Sequence, residues 1–381
     1  MKKILIVTTR FPFPLYSGDR LRIYNIFKNL SKKNKIDLIY TSSNHNLKEK
    51  IKFINKAIFV KTNIIKSIFF TMYFLLKGKP LQVGYFFSQK MKEEINRIHK
   101  NYDSIIFHLI RGSEFLPRDY KGKKILEMTD VISNNYVQTY NRLHFFNPLK
   151  YLYLIEHLFL KKYEKKIQHF FDHVVLVSQK DVQSFLVKKK IKVIPNGTNN
   201  SKKIFKFNKK NNDVVFIGNI NYLPNKIACY EFIKIIMPKL KERGLHINFK
   251  IIGKTSLFLK FLLSRFENVE VFSQVKSTEK FCKGAFCGIC NINIAAGVQN
   301  KILEYMRIGL PTITSERCFN AAHFKKNKDI LVYKNQKELI NHIIKLKTNK
   351  NLSNKISSGC YKKIKNKFTW EKSLREYSKL I

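Results

Sequence analysis

A glycine turn followed by a polar helix start is the part of this sequence whose residue types could bind an anion. Gly297 comes before Gln299, Asn300 and Lys301, and residues 299–308 carry apolar side chains at a helical spacing. The first turn of a helix has unpaired N–H groups, and glycine lets a phosphate approach the backbone. A lysine is unfavourable there unless an anion lies in front of it. The pattern fits a phosphate site, and an ordinary solvated helix fits it equally well.

Glu304 extends this candidate site. It lies one helical turn after Asn300, so its carboxylate would reach hydroxyl groups of the molecule that carries the phosphate. Residues 291–295 alternate as in a strand, and Gly309-Leu310-Pro311 ends the helix. The sequence therefore predicts a strand, a glycine turn and a helix in that order.

A similar pattern stands at the beginning of the chain. Lys3 to Thr9 is an apolar run that predicts a buried strand, and a loop with glycine and a helix follow it. Ser17 and Asp19 could cap that helix, whereas Arg20 and Arg22 could equally face a phosphate. The loop lies at the carboxyl end of the strand, which is the ligand side of a doubly wound sheet.

Two further strands of the first half end in polar residues. Ser104 to His108 ends in histidine, and Lys124 to Thr129 is followed by Asp130. These ends also fall on the ligand side of such a sheet. A histidine in this position is often only hydrogen-bonded in the core, so His108 is a candidate with a structural alternative.

The remaining elements predict a second α/β unit. A strand at Val214 to Ile217 ends in Gly218-Asn219, and a helix starts at Pro224-Asn225. Residues 198–212 are polar and rich in Lys and Asn, which predicts an interdomain linker. A last helix is predicted from Trp370 to Leu380.

Length and charge limit the function classes. The 381 residues suggest two domains. The formal net charge of +47, from 73 Lys and Arg against 26 Asp and Glu, invites a nucleic-acid interpretation. The lysines are spread over the whole length without a basic tail or a nucleic-acid-binding signature, so we expect no nucleic acid as partner. The excess favours an anionic membrane surface or anionic substrates.

The six cysteines indicate neither a disulfide framework nor a metal site. The chain is not small, and its first apolar run is too short for a signal peptide, so we expect a reducing cytosol. Cys287 and Cys290 form a lone CxxC without a nearby second pair. Buried thiols are the expectation, and no metal or other cofactor is predicted.

A segment from Ile64 to Leu76 is strongly apolar but too short to span a membrane. It predicts either a core helix or an interfacial helix. The interfacial alternative would turn its apolar and aromatic residues toward lipid: Phe69, Phe70, Tyr73 and Phe74.

Motifs in order along the chain carry a resemblance to a known family. They are KILIVTTRFPFPLYSGDRLR at the start, DHVVLVSQKD and KVIPNG before the linker, VVFIGNINYLPN, GVQNKILEYMRIGLPTIT, and FTWEKSLREY at the end. Together they resemble the retaining nucleotide-sugar glycosyltransferases of the GT-B fold, the group 1 or family 4 set. The QNKxLE form is similar to an exopolysaccharide-associated subgroup.

The resemblance implies an α/β protein with two Rossmann-like doubly wound domains facing across a cleft. Residues 1–200 would hold the acceptor, residues 201–367 the nucleotide-sugar donor, and residues 368–381 a helix that packs back toward the first domain. By likeness Glu304 would hold the donor ribose, and residues 297–301 would meet the pyrophosphate. The other residues assigned to the donor are Gly18, Gly218, Asn219 and Asn225.

The catalytic residues predicted with this likeness are His108 and Asp130 on the acceptor side and Arg20 between the domains. The expected reaction moves a sugar to a growing glycan or lipid-linked oligosaccharide in surface polysaccharide synthesis. It would be retaining by front-face attack, metal-independent and cytoplasmic, on the inner face of a bacterial plasma membrane.

The first glutamate of the family motif is replaced by Ala296. That departure keeps an alternative open, a sugar-nucleotide-binding protein with impaired catalysis. A basic nucleic-acid-binding protein is the third hypothesis.

Overall fold

The computed structural model describes residues 1–15, 17–43, 52–199, 202–273, 275, 277–293, 299–320 and 323–381. It divides the chain into two compact units. The first unit comprises Met1–Pro195 and Leu374–Ile381, and the second comprises Asn196–Ser373.

The described part of the first unit contains a parallel sheet of seven strands, in the order β3-β2-β1-β4-β5-β6-β7. The strands are β1 (Lys3–Thr8), β2 (Lys35–Ser42), β3 (Lys56–Lys61), β4 (Ser104–His108), β5 (Lys123–Thr129), β6 (His173–Leu176) and β7 (Ile191–Val193). Central strands such as β1 and β4 are apolar runs buried along their length, as expected of strands covered on both faces.

Helices connect these strands. They are α1 (Gly18–Leu30), α2 (Ile64–Leu76), α3 (Leu81–Tyr85), α4 (Gln89–Ile98), α5 (Ile132–Tyr140) and α6 (Pro148–Ile167). Asn63, Ser88 and Asn147 cap α2, α4 and α6 by accepting backbone N–H groups of the first turn.

The described part of the second unit contains a parallel sheet in the order β10-β9-β8-β11-β12-β13. Its strands are β8 (Asp213–Ile217), β9 (Asn248–Ile252), β10 (Val269–Phe272), β11 (Ala285–Cys290), β12 (Thr312–Ser315) and β13 (Leu331–Tyr333). Its helices are α7 (Leu223–Glu231), α8 (Met237–Lys241), α9 (Leu257–Ser264), α10 (Glu279–Cys282), α11 (Asn300–Arg307), α12 (Gln336–Thr348), α13 (Lys350–Lys367) and α14 (Trp370–Ser373).

Each sheet has one switch point, where the strand order reverses. In the first unit β1 lies between β2 and β4, and in the second β8 lies between β9 and β11. Ligands of doubly wound sheets bind outside the carboxyl ends of the strands at this point. The two α/β sheets confirm the predicted fold class.

Three sequence-based predictions of structure are wrong. β11 ends at Cys290, and Asn291 to Asn293 form no strand. Part of the predicted linker packs inside the second unit, because the buried Phe205 and its neighbour Ile204 donate their N–H groups to the carbonyl of Ile308. The last predicted helix is interrupted between α14 and a short 3₁₀ turn at Tyr377–Lys379.

No helix within the described ranges is both long enough and apolar enough to cross a bilayer.

Candidate functional site

The first candidate region lies at the switch point of the first unit. The loop after β1 leads into α1, and β4 ends at His108 beside it. Leu109 and Thr129, which stand at the ends of β4 and β5, have positive φ angles of 66° and 70°. Residues other than glycine rarely adopt this conformation, and such positions cluster at functional sites.

His108 is a buried, uncharged imidazole. Its Nε2 has no hydrogen-bond partner among the described residues. Burial lowers the pKa of His108 to about 3; Asp19 opposes this effect, and Arg111 and Arg10 add to it. At neutral pH the ring therefore carries no charge, and its Nε2 can form one hydrogen bond with a ligand.

The start of α1 is held by ionic and backbone contacts. Gly18 is its first residue, and Ser17 occupies the cap position without a side-chain cap hydrogen bond. Asp19 forms an ion pair with Arg10. Burial is the largest effect on the pKa of Asp19 and would raise it. The charge of Arg10 and the other favourable contacts of the carboxylate together outweigh burial, so the pKa lies below its ordinary value. The alternative that Asp19 serves only as a cap is therefore not what the structure shows.

Arg20 binds the loop that precedes it. Its Nη1 donates to the carbonyl oxygens of Phe13 at 3.1 Å and Pro14 at 3.2 Å. This contact holds the loop on the switch point. A role of Arg20 in catalysis stays a prediction.

Arg22 does not face a phosphate, so this alternative for it was wrong. Its Nε donates to Glu127 Oε1 at 2.8 Å and its Nη2 to Glu127 Oε2 at 3.2 Å, and both side chains are fully buried. Thr129 Oγ1 also donates to Glu127, at 3.3 Å. A carboxylate in the middle of a buried strand needs such a partner, so Arg22 is directed inward.

Asp130 follows β5, and its Oδ1 is buried without a hydrogen-bond partner in the described chain. Burial raises the pKa of Asp130 to about 8, and the charge of Asp181 adds to this effect. A carboxyl group that keeps its proton at neutral pH can donate a hydrogen bond. The structure therefore brings Asp130 and His108 to neighbouring strands as two neutral polar groups.

The second candidate region lies at the switch point of the second unit. Gly218 follows β8 and donates its N–H to the carbonyl of Ile252 at the end of β9, at 2.9 Å. Gly253 has a φ of +136°, and a Cβ there would lie 2.0 Å from the Gly218 carbonyl oxygen. Glycine is required at that close approach of the two strand ends.

Four of the predicted donor residues meet beside this turn. Asn225 Nδ2 donates to the carbonyl of Asn219 at 2.8 Å, and Lys301 Nζ donates to Asn225 Oδ1 at 2.7 Å. A Cβ on Gly218 would lie 3.0 Å from Asn225 Nδ2 and 3.4 Å from Lys301 Nζ. The structure therefore brings Gly218, Asn219, Asn225 and Lys301 together.

Lys301 is directed into the unit and not into solvent. Only 6% of its surface is exposed, and its Nζ lies 3.9 Å from the centre of the Phe216 ring. Burial lowers the pKa of Lys301, and the thiols of Cys290 and Cys229 oppose this effect. No carboxylate forms an ion pair with Lys301 in the part of the chain that the structure describes.

The sequence predicted buried thiols, and the structure confirms this prediction. All six cysteines are free and buried. Burial alone would raise the pKa of Cys290, but a hydrogen bond with Cys318 and the charge of Lys301 bring it to about 7. The described residues hold no cluster of three or more metal-ligating side chains.

Three further predicted donor residues lie at the start of α11 or within it: Gln299, Asn300 and Glu304. Gln299 stands at the cap position, and Asn300 Oδ1 accepts a hydrogen bond from Asn196 Nδ2 at 2.7 Å. Glu304 Oε2 accepts from Arg307 Nε at 2.7 Å. Gly297 and Ala296 lie outside the described residues.

Tyr305 is a residue that sequence reasoning missed. It is fully buried, accepts the N–H of Ile217 at 2.7 Å and donates to the carbonyl of Ile289 at 3.1 Å. Its hydroxyl thus joins the ends of β8 and β11 to α11. Gly288 makes room, since a Cβ there would lie 2.5 Å from the Tyr305 ring. The sequence signal that could have indicated its role was a tyrosine at an apolar position of the helix.

Comparison with known proteins gives the family of the second unit. Residues 211–349 match the family "Glycosyl transferases group 1". No curated protein sequence matches the chain.

Solved structures similar to the chain share its fold over nearly their whole length. A sucrose-phosphate synthase from Thermosynechococcus elongatus is 11% identical with a TM-score of 0.73, covering 100% of this chain and 98% of that one. TarM is 12% identical with a TM-score of 0.71, and the match covers 100% of this chain and 98% of TarM. Anabaena HepE in complex with UDP-glucose is 13% identical with a TM-score of 0.70, and the match covers 100% of this chain and 99% of HepE. These neighbours are GT-B glycosyltransferases, and they confirm the predicted GT-B fold.

Proposed function

We propose that the protein is a glycosyltransferase, because residues 211–349 match the group 1 glycosyltransferase family. The protein transfers a sugar from a nucleotide-sugar donor to a growing glycan or lipid-linked oligosaccharide, in the synthesis of a surface polysaccharide. One observation carries the proposal: Gly218, Asn225 and the buried Lys301 meet at the switch point of the matched domain.

The leaving group explains why these residues suit the reaction. A departing nucleoside diphosphate gains negative charge, which positioned N–H groups and a cation stabilise in a site of low dielectric constant. The first turn of α11 supplies such N–H groups, and Lys301 supplies the cation. Neither requires a metal ion, so we propose a metal-independent transfer that continues in EDTA.

The first unit is proposed to bind the acceptor. His108 and Asp130 are neutral groups on neighbouring strands, and neutral donors and acceptors suit sugar hydroxyl groups. We propose retention of the anomeric configuration by front-face attack. The anomer of the product, read by NMR, tests this point. TarM of S. aureus was solved with UDP and alpha-GlcNAc-glycerol, and HepE with UDP-glucose, which supports a nucleotide-sugar donor and a glycan acceptor.

The donor is identified by a thermal shift screen of UDP-, GDP-, CMP- and dTDP-sugars, because a bound donor stabilises the folded state. Turnover of the selected donor is then measured for Glu304→Ala and for Glu242→Ala, an exposed glutamate of the same unit. We expect Glu304→Ala to lose turnover and Glu242→Ala to retain it. A fully active Glu304→Ala protein would remove the proposed ribose contact.

A second candidate function follows from Ala296, which replaces the first glutamate of the family motif. It is a sugar-nucleotide-binding protein that has lost catalysis. Donor binding without transfer to any acceptor and without donor hydrolysis would assign this function instead.

A further inference from the structure

One helix of the first unit presents apolar side chains to solvent. Seven residues of α2 form an exposed row at helical spacing, here called the α2 stripe: Ile64, Ile65, Ile68, Phe69, Met72, Tyr73 and Leu76. Their exposed fractions range from 41% for Tyr73 to 89% for Leu76. A contiguous apolar surface of this kind marks an interaction site.

The opposite side of α2 is already packed. Phe74 is buried, and Phe70 stacks edge-on against Phe87 with ring centres 4.9 Å apart. Gly84 of α3 touches the same side, since a Cβ there would lie 2.6 Å from the Phe70 carbonyl oxygen. The helix is thus fixed to the unit by its inner side. The sequence-based expectation that Phe70 and Phe74 would face lipid was wrong.

The charged residues within α2 and next to its ends in sequence are lysines. α2 contains no Asp or Glu, and Lys61, Lys66 and Lys77 are exposed beside it. The Nζ of Lys77 lies 4.3 Å from the centre of the Tyr73 ring. An apolar row with lysines at its edges is the pattern of a helix that lies in the headgroup region of a bilayer.

We propose that the α2 stripe docks on an anionic lipid bilayer. Phe69, Met72 and the other stripe residues enter the boundary between headgroups and acyl chains, and the three lysines contact lipid phosphates. The helix lies in the plane of the surface. This inference develops the membrane location expected from the sequence, and it rests on α2 and not on the donor site.

The charge of the chain argues against a second copy as occupant. Two chains of formal net charge +47 would bring their lysine-edged stripes together, which like charges oppose. An anionic bilayer attracts the same lysines. Within the same unit, α6 also exposes Leu149, Leu152 and Leu158, and four exposed lysines follow them in the helix.

The test is sedimentation of the full chain with vesicles of phosphatidylcholine alone or mixed with phosphatidylglycerol, without donor or acceptor. We expect binding to the mixed vesicles that weakens with salt. Ile68→Glu/Met72→Glu should reduce it at least about tenfold, since two apolar side chains no longer leave water. Leu186→Glu/Phe170→Glu changes two exposed apolar residues outside α2 and adds the same charge. This control should bind as the unmodified chain does.

A fluorescent label gives a second readout. Because all six native cysteines are buried, a dye on Met72→Cys reports on the stripe alone. Its emission should shift to shorter wavelength with the mixed vesicles.

Equal binding of both double variants, or a dye that stays in water, overturns the proposal. Loss of a dimer in Ile68→Glu/Met72→Glu, seen by light scattering without loss of vesicle binding, assigns the stripe to a second copy and also overturns it. Donor turnover is measured separately, so failure here leaves sugar transfer unaffected.

Discussion

The switch points of the two units occupy equivalent places in their sheets but differ in chemistry. In the first unit the buried Arg22 and Glu127 satisfy each other, and His108 and Asp130 stand beside them as neutral groups. In the second unit the buried charge is Lys301, whose direct hydrogen bond goes to the neutral side chain of Asn225. The fully buried cation of the first region, Arg22, thus has a carboxylate partner, whereas Lys301 of the second region has none among the described residues.

This difference supports the roles proposed for the two units. A buried cation costs free energy unless an anion compensates it. A diphosphate at the start of α11 would provide that anion, whereas a sugar hydroxyl needs only the neutral groups of the first unit. The predictions below test this contrast, from the largest expected effect to the smallest.

Removing Glu127 should have the largest effect on stability. Glu127→Ala leaves the buried Arg22 without its carboxylate, which costs about 3–5 kcal/mol in the free energy of unfolding. Urea unfolding measures the loss. The double variant Arg22→Met/Glu127→Leu removes both charges and should recover most of it. A loss no larger than that of Glu94→Ala, which breaks a partly exposed pair with Arg97, would contradict the description of the first unit.

Removing Lys301 should affect turnover and not stability. Lys301→Met replaces the buried cation with an apolar chain, so we expect kcat to fall about 10²–10³-fold while the free energy of unfolding stays equal or rises. Lys260→Met, at an exposed position, is the matched control. Turnover that Lys301→Met leaves unchanged would show that the cation does not act on the leaving group.

Tyr305→Phe should have an intermediate effect. It leaves the N–H of Ile217 and the carbonyl of Ile289 without their side-chain partner, at a cost of about 1–3 kcal/mol. Tyr85→Phe, at an exposed tyrosine, should cost nothing measurable. Thermal unfolding compares the two. Equal melting temperatures would show that the hydroxyl does not hold α11 to the strands.

Asp130 should make a pH-dependent contribution to the free energy of unfolding. Its folded pKa is about 8 against an ordinary value of 3.8, so the folded state holds the proton more tightly. The stability from this group is present below pH 3.8 and is lost as the pH rises through about 8. Asp130→Asn should therefore gain stability over the unmodified chain as the pH rises. A melting-temperature difference that does not change with pH would contradict the burial of this carboxyl group.

For His108 we expect a pH dependence of stability opposite to that of Asp130. Its folded pKa of about 3 lies below the ordinary value of 6.5, so its contribution is lost as the pH falls from 6.5 toward 3. The melting-temperature difference between His108→Gln and the unmodified chain, measured over that range, reads this contribution. The unmodified chain should lose melting temperature relative to His108→Gln as the pH falls over that range. A difference that does not change with pH would contradict a neutral buried ring.

Elements defined by local pattern were predictable from the sequence. The apolar runs placed β4 and β8, and hence His108 and Gly218 at strand ends, because burial on both faces leaves a continuous apolar signal. The Arg22–Glu127 pair was not predictable, since the partners are far apart in sequence and meet only through the sheet. The same holds for the inward direction of Lys301, which Phe216 and Asn225 determine. The roles predicted for these residues in donor binding and catalysis stay predictions.

The most direct test is nucleotide binding measured by calorimetry. The probe is the nucleoside diphosphate whose sugar gives the largest thermal shift, titrated into the unmodified chain, Lys301→Met and His108→Gln. We predict that Lys301→Met weakens its binding at least about tenfold while His108→Gln leaves it unchanged, since a lost charge-assisted contact costs about 1.5–3 kcal/mol. Equal affinity of all three proteins, or a loss confined to His108→Gln, would contradict the assignment of the donor diphosphate to the second unit.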